Sequence, residues 1–146
     1  MRFELRAATA AHAETIASLL GELGYPAAPE AVRHRLQHLQ STGSDHVLVA
    51  AADSDLLGVV SLHWTSMLHL DAPVARITSL VVREHARGHG VGRALVEAAA
   101  DLARAAGCSQ LELTTGLQRE DAHAFYAKLG FVKSAYRFRR SLVSDR

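Results

Sequence analysis

This chain is short of features that would place it in a class at once. It has one cysteine, Cys108, so no internal disulfide can form. Lying between a helix and a strand, that thiol is expected to be a small buried filler. Charge of one sign is not in excess: 16 basic residues face 15 acidic ones, for a formal net charge of +1. That balance argues against bulk nucleic-acid binding. Arg137, Arg139 and Arg140 are grouped near the end, but in an alternating segment they read as a solvated strand face. No window approaches the ~18 consecutive apolar residues of a membrane helix. The start, Met1-Arg2-Phe3-Glu4, has no apolar run of the kind a signal peptide needs. Internal repeats, low-complexity tracts and linkers are also missing. A soluble, cytoplasmic chain of one domain, residues 1–146, is therefore expected, with no membrane or nucleic-acid partner. Its 49% apolar content is enough for a continuous core.

What is there is an alternation of strand-like and helix-like segments. Phe3 to Ala7 alternates as a first strand. Thr9 is placed to cap a helix ending near Gly24, with Ile16, Leu19, Leu20 and Leu23 at core spacing. Pro29 suits the first turn of a second helix, reaching about Gln40. Two strands, His46 to Ala52 and Leu56 to Thr65, flank the turn Asp53-Ser54-Asp55. Val74 to Val82 reads as the central strand, Val91 to Ala106 as a long helix and Gln110 to Thr115 as the next strand. Strand, helix and strand make a βαβ unit with parallel strands. A short helix, Asp121 to Leu129, ends at Gly130. Phe131 to Lys133 and Tyr136 to Leu142 are expected to form a final hairpin. The class is α/β, a mixed central sheet flanked by helices on both faces.

The most informative stretch runs from Arg83 to Leu95, between the central strand and the long helix. Gly88, Gly90 and Gly92 stand at alternate positions, where the backbone can take unusual dihedrals and approach a ligand closely. The first N–H groups of the following helix lack intrahelical partners and sit at the positive end of its dipole. A diphosphate suits that geometry, and Arg87 and Arg93 can add charge-assisted hydrogen bonds. The dinucleotide fingerprint is not met, because Arg93 stands where a glycine or alanine is required. Nor is there a Gly-Lys-Ser/Thr, so the loop is not that of the nucleoside triphosphatases.

The pattern Arg/Gln-x-x-Gly-x-Gly/Ala is met by Arg87, Gly90 and Gly92, after the strand Leu80-Val81-Val82. A second motif, Ala124-Phe125-Tyr126-Ala127-Lys128-Leu129-Gly130-Phe131, lies downstream. Together, over residues 76 to 131, they resemble the GNAT superfamily of N-acetyltransferases. The resemblance implies a GNAT-like fold with acetyl-CoA as cosubstrate. Arg87, Gly88, His89, Gly90, Val91, Gly92 and Arg93 would hold the diphosphate, and the backbone of Leu80, Val81 and Val82 would pair with the pantetheine arm. Tyr126 would be the general acid toward the departing thiolate. The family often has an asparagine shortly before this helix; the matching position here is Arg119, with Gln118 the nearest amide.

A base is harder to name. Many relatives carry a glutamate on the central strand, but Arg76, Ile77, Thr78 and Ser79 stand here, without a carboxylate. His63, His69, Asp71 and Glu112 remain as candidates, or a water relay through Thr78 or Ser79. His63 and His69 lack metal-ligand spacing, so no metal is expected. The segments 61–64, 67–70, 121–126 and 136–142 resemble the branch that acetylates aminoalkylphosphonates, for which Arg76 could supply a basic pocket. The implied reaction is direct attack of a small primary amine on the thioester, with no covalent enzyme intermediate. The alternatives are a protein N-terminal or lysine acetyltransferase and a non-catalytic CoA-binding regulatory module. A homodimer paired through the final hairpin is compatible with all three.

Overall fold

Three runs of β-branched and small apolar residues build the centre of the sheet. The structure, a computed structural model, describes residues 1–144. It comprises two units, Met1–Leu113 and the stretch from Thr114 onward. The first unit contains β1 (Glu4–Ala7), α1 (Ala13–Leu23), α2 (Pro29–Ser41), β2 (Asp45–Ala52), β3 (Asp55–Thr65), β4 (Val74–Val82), α3 (Val91–Ala105) and β5 (Gln110–Glu112). The strands lie in the order β1-β2-β3-β4-β5. All neighbours are antiparallel except β4 and β5, which are parallel with α3 as the crossover.

Helices cover both faces of this sheet. On one, Val49, Val59 and Val81 stand in register across β2, β3 and β4. They are buried with Ile16 and Leu19 of α1 and Val32 and Leu36 of α2. On the other, α3 crosses β3 over Gly58. A Cβ there would lie 2.9 Å from the Val81 carbonyl oxygen, 3.1 Å from Leu95 Cδ1 and 3.3 Å from Val91 Cγ1. Leu95 is fully buried in this contact layer.

Two irregularities set which residues share a face. Ala51 pairs with Leu56, but Ala50 pairs with Gly58, so Leu57 is an extra residue on β3. Ser61 pairs with Ser79, but Leu62 pairs with Ile77, so Thr78 is an extra residue on β4. A bulge of this kind shifts the phase of alternation beyond it. The β2–β3 turn itself is two residues long, with Asp53 left-handed at φ 53. An aspartate tolerates that conformation better than a branched residue.

The second unit holds α4 (Glu120–Lys128). Gly130 follows it at φ 90, and the Phe131 amide donates to the Tyr126 carbonyl at 3.0 Å, closing the helix end. Two strand expectations need correction. The fifth strand stops at Glu112 rather than Thr115. The final hairpin, 131–133 with 136–142, does not form: residues 131–144 contain no strand, and Tyr136, Phe138 and Leu142 are exposed. Alternation makes a segment able to pair, but a strand exists only where a ladder partner takes its amides. Cys108 is half-buried rather than a core filler; burial raises its thiol above the ordinary value.

Candidate active site

The turn from β4 into α3 is built from backbone. One 3-10 turn, Glu84–Ala86, follows the strand, and Arg87 is extended at φ −66 and ψ 148. Gly88 and Gly90 are left-handed, at φ 80 and φ 83. A side chain at either would be strained by that conformation, although a Cβ would meet nothing within 4 Å. The loop is thus open above. Gly90 is the N-cap of α3, no side chain caps the helix, and no acidic residue lies in its first turn. The amides of Val91, Gly92 and Arg93 open a 15-residue helix whose dipole favours an anion. Arg87 is exposed and donates from Nε to the Val82 carbonyl at 3.4 Å; His89 and Arg93 are exposed beside it.

The strand leading into this loop has a free edge. β5 pairs with β4 only through Val74, Ala75 and Arg76. From Ile77 to Val82 no strand lies beyond β4 on that side, among the described residues. Six residues of strand leave an edge about 20 Å long with backbone groups to offer. The Val81 side chain is buried in the core, so its packing and the availability of its backbone do not compete. Arg83 braces the strand's end: Nε donates to the Leu56 carbonyl at 2.7 Å, and Nη1 is 3.2 Å from Glu22 Oε2.

Where the edge closes, four ionisable residues stand in one row. Asp45 pairs with His63, His63 with Arg76, and Arg76 with Glu112, one from each of β2 to β5. His63 Nδ1 is 3.9 Å from Asp45 Oδ1. Arg76 holds Glu112 Oε1 through Nε at 3.1 Å and Nη2 at 3.0 Å. Thr42 donates from Oγ1 to Asp45 Oδ2 at 2.7 Å, fixing that carboxylate. Beside the row, the Ser61 and Thr78 hydroxyls are 2.7 Å apart.

In the second unit, Tyr126 is half-buried between Phe125 and Phe131. Their ring centroids lie 5.2 Å and 5.6 Å from its own, both edge-on. Burial raises its phenol above the ordinary tyrosine value, and the nearby Arg119 guanidinium partly offsets this. The group is therefore a proton carrier at neutral pH. His123 Nε2 meets the Gly116 carbonyl at 3.0 Å and ties α4 to the loop before it.

The acetyltransferase (GNAT) family pattern matches residues 13–131. The chain belongs to this family. Aminoalkylphosphonate N-acetyltransferase of Salmonella typhimurium is 36% identical over 97 residues, 66% of this chain and 63% of that protein. Glucosamine 6-phosphate N-acetyltransferase 1 of Oryza sativa is 29% identical over 113 residues, 74% of this chain and 66% of that protein. The matches thus span less than two thirds of these relatives' own length. A crystal structure of a transcriptional regulator from Bacillus halodurans superposes with a TM-score of 0.88 at 25% identity, covering 97% of this chain and all of the other.

Within this GNAT fold, the structure brings Leu80, Val81, Val82 and residues 87–93 together along one strand, turn and helix start. Tyr126 belongs to the other unit. Of the candidate bases, His63 and Glu112 fall in the four-residue row, whereas His69 and Asp71 are exposed on the loop after β3. Thr78 bonds Ser61. Asp45 was missed: in sequence it sits in a loop, and a regular two-residue hairpin would place it opposite Leu62. Only the extra residue at Leu57 brings it to His63.

Proposed function

We propose that this GNAT chain is an acetyl-CoA-dependent N-acetyltransferase that acetylates a primary amine of a small molecule by direct attack. The observation that carries the reading is the continuous run of free edge, left-handed glycines and uncapped helix start from Ile77 to Arg93. The first amides of α3, with Arg87 and Arg93, would hold the diphosphate. The backbone of Leu80, Val81 and Val82 would hold the pantetheine arm. Bound acetyl-CoA supplies an activated acyl thioester, and the chain's task is to position it and manage protons. Tyr126 is the proposed acid toward sulfur; its motif and its burial support that role. The family match crosses both units, which supports reading 1–146 as one working domain.

For the acceptor, we infer an amine that also carries a phosphonate or phosphate. Two relatives are named for such substrates, an aminoalkylphosphonate and glucosamine 6-phosphate. Arg76 is suited to such a group: Glu112 takes two of its five N–H donors and leaves the others for substrate oxygens. A thiol-release assay with acetyl-CoA tests this. An aminoalkylphosphonate or glucosamine 6-phosphate should be turned over at least ~10-fold faster, by kcat/KM, than the analogue without its phosphoryl group. Equal rates would remove the phosphoryl requirement. Turnover of peptides alone would move the acceptor to proteins. Binding of acetyl-CoA without release for any amine would leave a non-catalytic module.

A further inference from the structure

The family's usual carboxylate is missing from the central strand, yet an ammonium must lose a proton before it can attack. We propose that His63 is the base that removes this proton, with Asp45 as its positioning residue. The assignment rests on the acetyltransferase reading above.

Two bulges place His63 where this role is possible. The extra residue at Leu57 puts Val59, Ser61 and His63 on the face of Val49, opposite Asp45. The extra residue at Thr78 puts Arg76 on that same face, beside His63. Without the first, His63 would lose Asp45; without the second, it would face Ile77 instead of Arg76. Bulges that re-aim side chains cluster beside active sites. Here two of them act on one row. The row also lies where the free edge of β4 ends, since β5 closes that edge at Arg76. An arm that pairs along β4 from the α3 loop therefore runs toward Arg76, the cross-strand neighbour of His63.

The chemistry of the row fits a base and its holder. Asp45 is fixed by the Thr42 hydroxyl, and its other oxygen faces His63 Nδ1 at 3.9 Å. That distance is longer than a hydrogen bond, and the proposed role requires it to shorten when a substrate seats, as apo catalytic contacts commonly do. With Nδ1–H turned to Asp45, the Nε2 lone pair is the free one. The charged groups that face the imidazole are Asp45 from β2, Arg76 from β4 and, beyond Arg76, Glu112 from β5. Glu112, on the strand across β4 from His63, holds the Arg76 guanidinium. His63 is half-exposed, so an ammonium can reach it.

The proton balance is complete. His63 Nε2 takes one proton from the acceptor's ammonium and passes it to solvent. The freed nitrogen pair forms the C–N bond to the acyl carbon, and the C–S pair leaves with sulfur. The second amine proton is released as the amide forms and matches the one the thiolate receives.

The test uses the whole chain with acetyl-CoA and an aminoalkylphosphonate. His63→Gln should lower kcat/KM by at least ~100-fold near neutral pH. The deficit should shrink toward the pH at which the free amine is deprotonated. Acetyl-CoA affinity by calorimetry should be unchanged. Asp45→Asn should lower kcat about 10-fold with KM little moved. Nitrogen NMR of the substrate-free protein should show His63 protonated at Nδ1 in the wild type, a preference lost in Asp45→Asn. An active wild type whose His63→Gln variant stays within ~2-fold, or shows the same deficit at every pH, overturns the base assignment alone. A wild-type His63 protonated at Nε2 overturns the role of Asp45. A wild type that binds acetyl-CoA but acetylates no amine overturns the enzyme reading, and this proposal with it.

Discussion

At the scale of single residues, Gly90 and Tyr126 carry separable expectations. Gly90 caps α3 in a left-handed conformation, which costs an L residue about 1–2 kcal/mol. Gly90→Ala should destabilise the protein by about that amount in denaturant unfolding, and weaken acetyl-CoA by at least ~10-fold in calorimetry because the first amides are re-aimed. Tyr126→Phe should reduce kcat by about 100-fold and leave acetyl-CoA affinity nearly unchanged, since only a transition-state proton is lost. The raised phenol also has a sign in stability. The folded state holds that proton more tightly than the unfolded chain, so the contribution is full below the ordinary tyrosine value. It is lost as pH rises through the raised value. Alkaline unfolding of the wild type above about pH 10 should therefore be steeper than that of Tyr126→Phe. The glycines were legible in the sequence because left-handed backbone and a helix start leave a compositional mark. Asp45 was not, because its partner is chosen by register rather than by residue type.

At the scale of elements, α3 crosses β3 closely over Gly58, just after the loop that leads into the helix. Gly58→Ala puts a Cβ 2.9 Å from a backbone oxygen, which no side-chain rotation relieves. We expect a loss of about 1–3 kcal/mol, read as a Tm lower by roughly 3–10 °C. Strands β3 and β4 and helix α3 were read from sequence to within a residue or two, because long apolar runs and a 3.6-residue stripe repeat many times. The bulges at Leu57 and Thr78 were invisible: one inserted residue changes the phase of a strand without changing its composition. The opposite failure occurred at 136–142, where alternation is clear but no ladder partner is present among the described residues. Periodicity reports what a segment can bury, and partner strands decide whether it does so.

For the whole molecule, sheet and helices bring together an uncapped helix start and a strand with a free edge, the two elements proposed to hold acetyl-CoA. On the proposed reading the diphosphate and the arm would bind to different elements, so affinity should fall in steps as parts of the ligand are removed. The most direct measurement is calorimetry of the complete protein with acetyl-CoA, compared with an acetylated pantetheine that lacks the diphosphate. One site per chain is expected for acetyl-CoA, weakened by at least ~10-fold in Arg87→Ala and by ~100-fold or more without the diphosphate. Equal affinity for the two ligands, or no binding of acetyl-CoA at millimolar concentration, would contradict this expectation.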